Sequence, residues 1–401
     1  MRQSLLISIL LSLFPLVSGE ARTSLPAATT RSAQQKVIII MFDGFGEEYY
    51  RSTKMSALNF IETHGIYKIV PSLMPSVTNV NNAAICTGEL PSKNGITGNS
   101  FYNAEKNEEE FMEEDSLLLA PTIFERAARS GVRSALFSSK KKTISLLSRG
   151  AALAVSPETA SEDWATKIGT PPSIYSREVN YWLMEAALYS MQHDPSLSLF
   201  YIHTTDYPMH TWAPGDPESK EHLKKMDAYI DRIMKTDPGA MILITADHTV
   251  NHKSVCLDIE KACLKHNLTI KMAVSAERDK YVKHHRGFGG TSYVYLDNKN
   301  DLQAVKRLIA GLKGVDEVLT NEEAVKKFHL MSTRIGDLVV LADKHTVFGN
   351  LDTEYENLPA NYRTHGSIYE ARVPLFLYNA PGAPSSKFFD VNYKLASWLF
   401  R

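Results

Sequence analysis

Residues 37–42 read VIIIMF and run directly into Asp43-Gly44. Six apolar residues in succession, four of them branched at Cβ, do not alternate as a strand with one wet face would. They suit a strand covered on both sides, and therefore a parallel sheet with helices against each face. Similar runs lie outward from it at 134–138, 199–203 and 241–245, with helix-like segments such as 120–130 and 181–192 between them. Strand alternating with helix predicts an α/β fold with a mostly parallel central sheet. The run VPLFLY at 373–378 is expected to rejoin that sheet before a short C-terminal helix. Residues 252–360 have another texture, with β-like stretches at 269–274, 291–296 and 337–342 and a helix-like stretch at 301–312. They read as an inserted α+β cap, which divides the core into 36–251 and 361–401.

The 401 residues are 44% hydrophobic and 22% charged, the profile of a folded chain. Lys and Arg total 44 against 45 Asp and Glu, so no global basic field points to a nucleic-acid polymer as partner. An anionic substrate must be held by local charge. Residues 5–17, LLISILLSLFPLV, followed by Ser18 and Gly19, have the layout of a secretory signal peptide. The run contains Pro15 and falls short of the roughly 20 apolar residues that span a bilayer. Residues 1–19 are therefore expected to be removed and 20–35 to form a flexible leader, leaving a secreted or periplasmic protein without a membrane segment. Cys256 and Cys263 are close enough in sequence to pair in an oxidising compartment, while Cys86 reads as buried in a helix. Asn267-Leu268-Thr269 forms a glycosylation sequon.

Polar residues recur just beyond the apolar runs: Asp43 after VIIIMF, Asp206 after LFYIHTT, and Asp247-His248 after MILITA. In an open α/β sheet that edge is where ligands bind. Carboxylates gathered there repel one another unless a cation sits among them, and a metal is the economical explanation. Asp206 and His210 stand four apart, and His365 follows in RTHG, which supplies oxygen and nitrogen ligands for two zinc-like centres. A single Asp-His pair is more simply a capped turn; the repetition at one kind of position favours the metal. Thr78, in PSVTN before the helix-like 80–87, is the candidate nucleophile. By itself a threonine there reads as an N-cap, but a metal set needs a hydroxyl to ionise.

The order FDG, PSVTN, HTTDYPMH, TADH, THG resembles the nucleotide pyrophosphatase/phosphodiesterase branch of the alkaline phosphatase superfamily. The resemblance implies one zinc held by Asp206, His210 and His365 and a second held by Asp43, Thr78, Asp247 and His248. Within that branch, residues 74–103 (MPSVTNVNNAAICTGELPSKNGITGNSFYN) and 138–147 (SSKKKTISLL) are similar to the phosphonoacetate hydrolases. That likeness implies substrate-binding roles for Lys140 and Lys142, and a phosphoryl contact for Asn99. Chemistry asks for cations there independently, because C–P cleavage expels a carbanion whose charge must spread into the carboxylate and be stabilised. If the chain stays extended beyond 138, both lysines point to one side; a solvated lysine turn is the alternative.

The expected function is two-zinc cleavage of phosphonoacetate to acetate and phosphate through a phosphothreonine intermediate. A phosphodiesterase or nucleotide pyrophosphatase with the same metal site is the alternative, and a catalytically silent extracellular binding protein is a third. A small anionic phosphonate or phosphoester is the expected partner, and a homodimer is left open. His285 and Arg286 are weaker candidates for substrate contact from the cap. His203 reads as a structural strand-end residue, Tyr207 and Trp212 as packing, and His222, Asp227 and Asp231 as a solvated helix face.

Overall fold

The computed structural model describes residues 35–279 and 286–401. The expected signal peptide, the leader apart from Gln35, and His285 lie outside the described residues. Seven strands form the main sheet: β1 Val37–Met41, β2 Ile66–Pro71, β3 Arg133–Ser138, β4 Leu153–Val155, β5 Leu197–His203, β6 Met241–Thr245 and β7 Arg372–Tyr378. Their order is β2-β7-β6-β1-β5-β3-β4. Strands β6, β1, β5, β3 and β4 pair in parallel, while β7 is antiparallel to both neighbours. The sheet is thus mostly parallel, with helices such as Ile123–Arg129, Glu178–His193 and Pro217–Thr236 flanking it.

The VIIIMF run sits at the centre of this sheet. Every residue of β1 is buried, with Ile38, Ile39 and Ile40 at 0% exposure. Burial of each isoleucine contributes about 1.5–3 kcal/mol. The in-register pairing of Met41 with His203 and Thr245 brings the ends of β1, β5 and β6 to one edge. Asp43, Asp206 and Asp247 all follow those ends.

Within 252–360 a separate antiparallel sheet is formed by Met272–Ser275, Thr291–Tyr295, Leu338–Ala342 and Val315–Thr320. The last strand is absent from the sequence reading, since its alternation is broken by Asp316 and Glu317. Helix Leu302–Ala310 packs on this sheet around Val305 and Ile309. The expected C-terminal helix is instead a pair of 3₁₀ turns, Ser386–Phe388 and Asn392–Leu395. No helix among the described residues is long and apolar enough to cross a membrane.

Two further expectations are corrected. Cys256 and Cys263 are free and buried: Cys256 packs with Phe288 and Val347, Cys263 with Ile259 and Val294, so they serve different apolar clusters. The supposed solvated face of Pro217–Thr236 holds buried His222 and Asp227. Asp227 accepts the Ala57 and Leu58 N–H groups at 3.0 Å, and so caps the neighbouring helix Ser56–His64. Asn267 is exposed, at φ 58°.

Candidate active site

At the carboxyl edge of the sheet, Asp43, Asp206, Asp247, His210, His248 and His365 converge, all of them buried. Gly44 follows Asp43 with φ +74°, and its N–H donates to Asp247 Oδ1 at 3.1 Å. A Cβ at Gly44 would lie 3.0 Å from that of Asp206, so the turn requires glycine. Gly366, after His365, has φ +106° and stands against the Gly290 backbone for the same reason. His210 Nε2 is 2.8 Å from Asp206 Oδ2, as the i, i+4 spacing on the Tyr207–Thr211 helix allows. Its other nitrogen, Nδ1, donates to the Arg363 carbonyl at 2.7 Å, while His365 Nδ1 donates to that of Ser76 at 2.9 Å. Both imidazoles therefore present Nε2 to the cluster.

The ligand-sized groupings are Asp206, His248 and His365, and Asp43, His203 and Asp247. This partition differs from the expected one, because the His248 ring stacks on His365 with centroids 3.4 Å apart. His248 still borders both groups, its Nε2 lying 3.5 Å from Asp43 Oδ1 and 3.4 Å from Asp247 Oδ2. Burial, then the neighbouring Asp206 and Asp247, pushes the Asp43 carboxyl up to about 7. Burial also raises Asp247. For Asp206 burial is outweighed by Lys140, His210 and His365, which hold it well below the usual range. Asp43 Oδ1 and Asp247 Oδ2 are buried with no hydrogen-bond partner among the described residues. Two such oxygens beside inward-facing imidazoles fit divalent-cation ligation.

Thr78 is the first residue of helix Thr78–Thr87, capped by Val77, and its side chain makes no capping bond. Its Oγ1 lies 3.5 Å from His248 Nε2. The whole helix is buried, so its asparagines take internal partners: Asn81 accepts the Leu73 N–H at 2.9 Å, and Asn82 accepts the Tyr201 hydroxyl at 2.8 Å. Asn99 reaches this helix start, accepting the Asn79 N–H at 3.3 Å and donating through Nδ2 to Glu277.

Lys140 Nζ lies 3.5 Å from Asp206 Oδ1 and 3.7 Å from Asp43 Oδ2. The chain does not stay extended past it: helix Lys141–Leu147 begins there, and Lys142 is carried to a buried pairing with Asp279. Lys140 thus reaches the metal-ligand carboxylates while Lys142 is engaged by Asp279, and the expected extended chain is not formed. Arg286, expected to reach over the site, instead pairs with Glu356 and lies over the Phe288 ring at 4.4 Å.

Three residues at the site were missed or under-read in the sequence. Glu277 Oε1 is 3.1 Å from His365 Nε2, Asp279 faces Lys142, and His203 contacts Asp43. Glu277 and Asp279 leave the strand Met272–Ser275 with no motif to mark them; only the second sheet's placement brings them in.

Comparison with known proteins bears on the fold and the family. Phosphonoacetate hydrolase from Sinorhizobium meliloti 1021, solved with phosphonoformate, superposes with a TM-score of 0.81 at 27% identity, covering 90% of this chain and 94% of that one. The same enzyme in complex with phosphonoacetate gives the same values. Murine ectonucleotide pyrophosphatase/phosphodiesterase 5, an inactive variant in complex with AMP, shares the fold with a TM-score of 0.64 at 14% identity, over 86% of this chain and 87% of that one. An uncharacterized pyrophosphatase/phosphodiesterase of Schizosaccharomyces pombe is 33% identical over 93 residues, 23% of this chain. The matched stretch spans only 18% of that relative. Across residues 37–368, from the first core strand to just past His365, the sequence fits the model of one family, and the chain belongs to the type I phosphodiesterase / nucleotide pyrophosphatase family.

Proposed function

We propose that the protein is a zinc-dependent phosphoryl hydrolase whose substrate is a phosphonate bearing a carboxylate, phosphonoacetate being the best fit. The observation that carries this reading is Lys140, whose ammonium sits within 3.7 Å of two carboxylates of the proposed metal set while its side chain is only 17% exposed. The likeness to the S. meliloti phosphonoacetate hydrolase supports it.

Two zincs would be held by Asp206, His210 and His365 and by Asp43, Thr78, Asp247 and His248. When bound, such cations lower the pKa of a hydroxyl and offset phosphoryl charge. The chain's own residues do the rest. Thr78 gives up its hydroxyl proton to solvent and its Oγ1 attacks phosphorus in line; the C–P bond breaks, the departing carbanion takes a proton from water to become acetate, and the phosphothreonine that forms is cleaved by a second water to free phosphate. The Asn99 amide, held by Asn79 and by two bonds to Glu277, turns one Nδ2 hydrogen from Glu277 to a phosphoryl oxygen when substrate binds. Lys140 stabilises the charge leaving on the acetate, and Lys142 adds to it from its pairing with Asp279. The segment 252–360 acts as the cap that supplies Glu277 and Asp279, and the N-terminal run supports export of the protein.

The test compares phosphate release from phosphonoacetate with nitrophenol release from a nucleotide nitrophenyl ester, on zinc-loaded protein. Phosphonoacetate should be preferred. If the ester is turned over orders of magnitude faster, the protein is a phosphodiesterase with the same site. If neither is turned over, the catalytic reading fails.

A further inference from the structure

His203 ends β5 at the same edge, fully buried, and both of its ring nitrogens are engaged. Nε2 lies 3.2 Å from Asp43 Oδ2 and Nδ1 lies 2.9 Å from Ser138 Oγ. The chemistry of these partners selects one tautomer. A carboxylate only accepts, so Nε2 carries the proton toward Asp43, and Nδ1 accepts from the Ser138 hydroxyl. Ser138 Oγ in turn accepts the backbone N–H of Lys140 at 3.3 Å. Backbone bonds fix the same junction: Ser139 N–H donates to the His203 carbonyl at 3.0 Å, and Asp43 N–H to Thr204 Oγ1 at 2.9 Å. Three adjacent strand ends are thereby joined in one directed chain, Lys140 N–H to Ser138, Ser138 O–H to His203, His203 N–H to Asp43.

We infer that His203 is a positioning residue that fixes the Asp43 carboxylate for metal binding and ties it to the loop bearing Lys140, so that leaving-group cation and metal ligand keep one spacing. The inference rests on the zinc reading of the site. A ring whose Nε2–H spends one Asp43 oxygen leaves the other, Oδ1, without a hydrogen-bond partner and aimed at the cluster. That is the arrangement by which an outer hydrogen bond orients a ligating carboxylate.

The test uses the full chain and the variants His203→Leu, His203→Gln and Ser138→Ala, each checked for native circular dichroism. Zinc affinity is read by competition with a chromophoric chelator, and kcat and KM for phosphonoacetate are measured separately. Loss of an outer-shell partner typically weakens metal affinity or activity by about 10–100-fold. His203→Leu should weaken by that amount the zinc held by Asp43, Thr78, Asp247 and His248, and leave the other unchanged. His203→Gln, whose amide N–H can still meet Asp43, should recover to within about tenfold of wild type. Ser138→Ala keeps zinc but should lower kcat more than it raises KM, because the Lys140 loop loses its tie.

Wild-type zinc affinity in His203→Leu overturns the inference. So does His203→Gln losing zinc as fully as His203→Leu, since the histidine would then be a direct ligand. A wild-type chain that binds no zinc overturns the zinc reading itself, and the inference with it. Turnover of the ester alone, with the variant order above intact, removes only the substrate and leaves the positioning role standing.

Discussion

Replacing Lys140 with methionine removes an ammonium while keeping most of the side chain's reach. The Nζ that disappears lies 3.5 Å from Asp206 Oδ1 and 3.7 Å from Asp43 Oδ2 on a side chain only 17% exposed, so its charge acts where water and salt screen little. Losing one preorganised donor to charge that develops in the transition state costs about 10²–10³ in rate, or about 3–4 kcal/mol. Lys140→Met should therefore lower kcat/KM for phosphonoacetate by about that factor, measured as phosphate release. Hydrolysis of a nucleotide nitrophenyl ester, whose leaving group is a stable phenolate, should fall less than about tenfold. Lys140 is the cleaner probe of the two lysines. Lys142 and Asp279 are each 3% exposed, and breaking this buried pair by replacing Lys142 costs about 3–5 kcal/mol of stability before any chemistry is lost. Equal losses on both substrates, at unchanged zinc content, would refute the reasoning: Lys140 would then serve Asp43 and Asp206 and not the leaving carboxylate.

Thr78→Ala should abolish turnover, by at least about 10³-fold, while zinc remains bound through the carboxylates and imidazoles; a variant that keeps a tenth of the rate removes Thr78 from the mechanism. Lys253 and Glu370 form a pair at 2.9 Å with both side chains at 0% exposure, and Glu370 also accepts from Asn251 and Ser367, next to His365. Lys253→Met should lower unfolding stability in urea by about 3–5 kcal/mol, and a change under about 1 kcal/mol would contradict the pair's structural role. His222 is buried against Tyr181 and Phe42, and burial, then Arg177, lowers its pKa from 6.5 to about 3. With the folded value below the unfolded one, the unfolded chain takes the proton first. The stabilisation is complete above about pH 6.5 and is lost as pH falls toward 3, by about 2 kcal/mol at pH 5. His222→Phe should flatten that part of the urea-midpoint profile, and an unaltered slope in the variant would rule His222 out as its source.

Much of the site was legible in the sequence because Asp43, Asp206 and Asp247-His248 each follow an unmistakable strand. An unbroken apolar run such as VIIIMF can satisfy its backbone and cover both faces only inside a layered sheet. Once β1, β5 and β6 lie parallel and in register, Asp43, Asp206 and Asp247 must emerge at one edge. Histidine placement was partly legible too: the i, i+4 spacing of Asp206 and His210 brings them together on one short helix. The strand Ile66–Pro71 was not recognised, because it is an edge strand, half-exposed and ending in proline, whose position is set by pairing with β7.

Local sequence alone determined the α/β core, the buried helix behind Thr78 and the residues that line the sheet edge, because periodicity and glycine turns act within a few residues of each other. Only the tertiary structure decided which charges meet. It turned Lys142 away to Asp279 by starting a helix at Lys141, brought Glu277 to His365 and Asn99, paired Arg286 with Glu356, and gave His203 both Asp43 and Ser138. These contacts join residues 65 to 178 positions apart in the chain. Their partners are selected by desolvation, which makes an unpaired buried charge or donor too unfavourable to leave alone, and that selection acts only once the elements have packed.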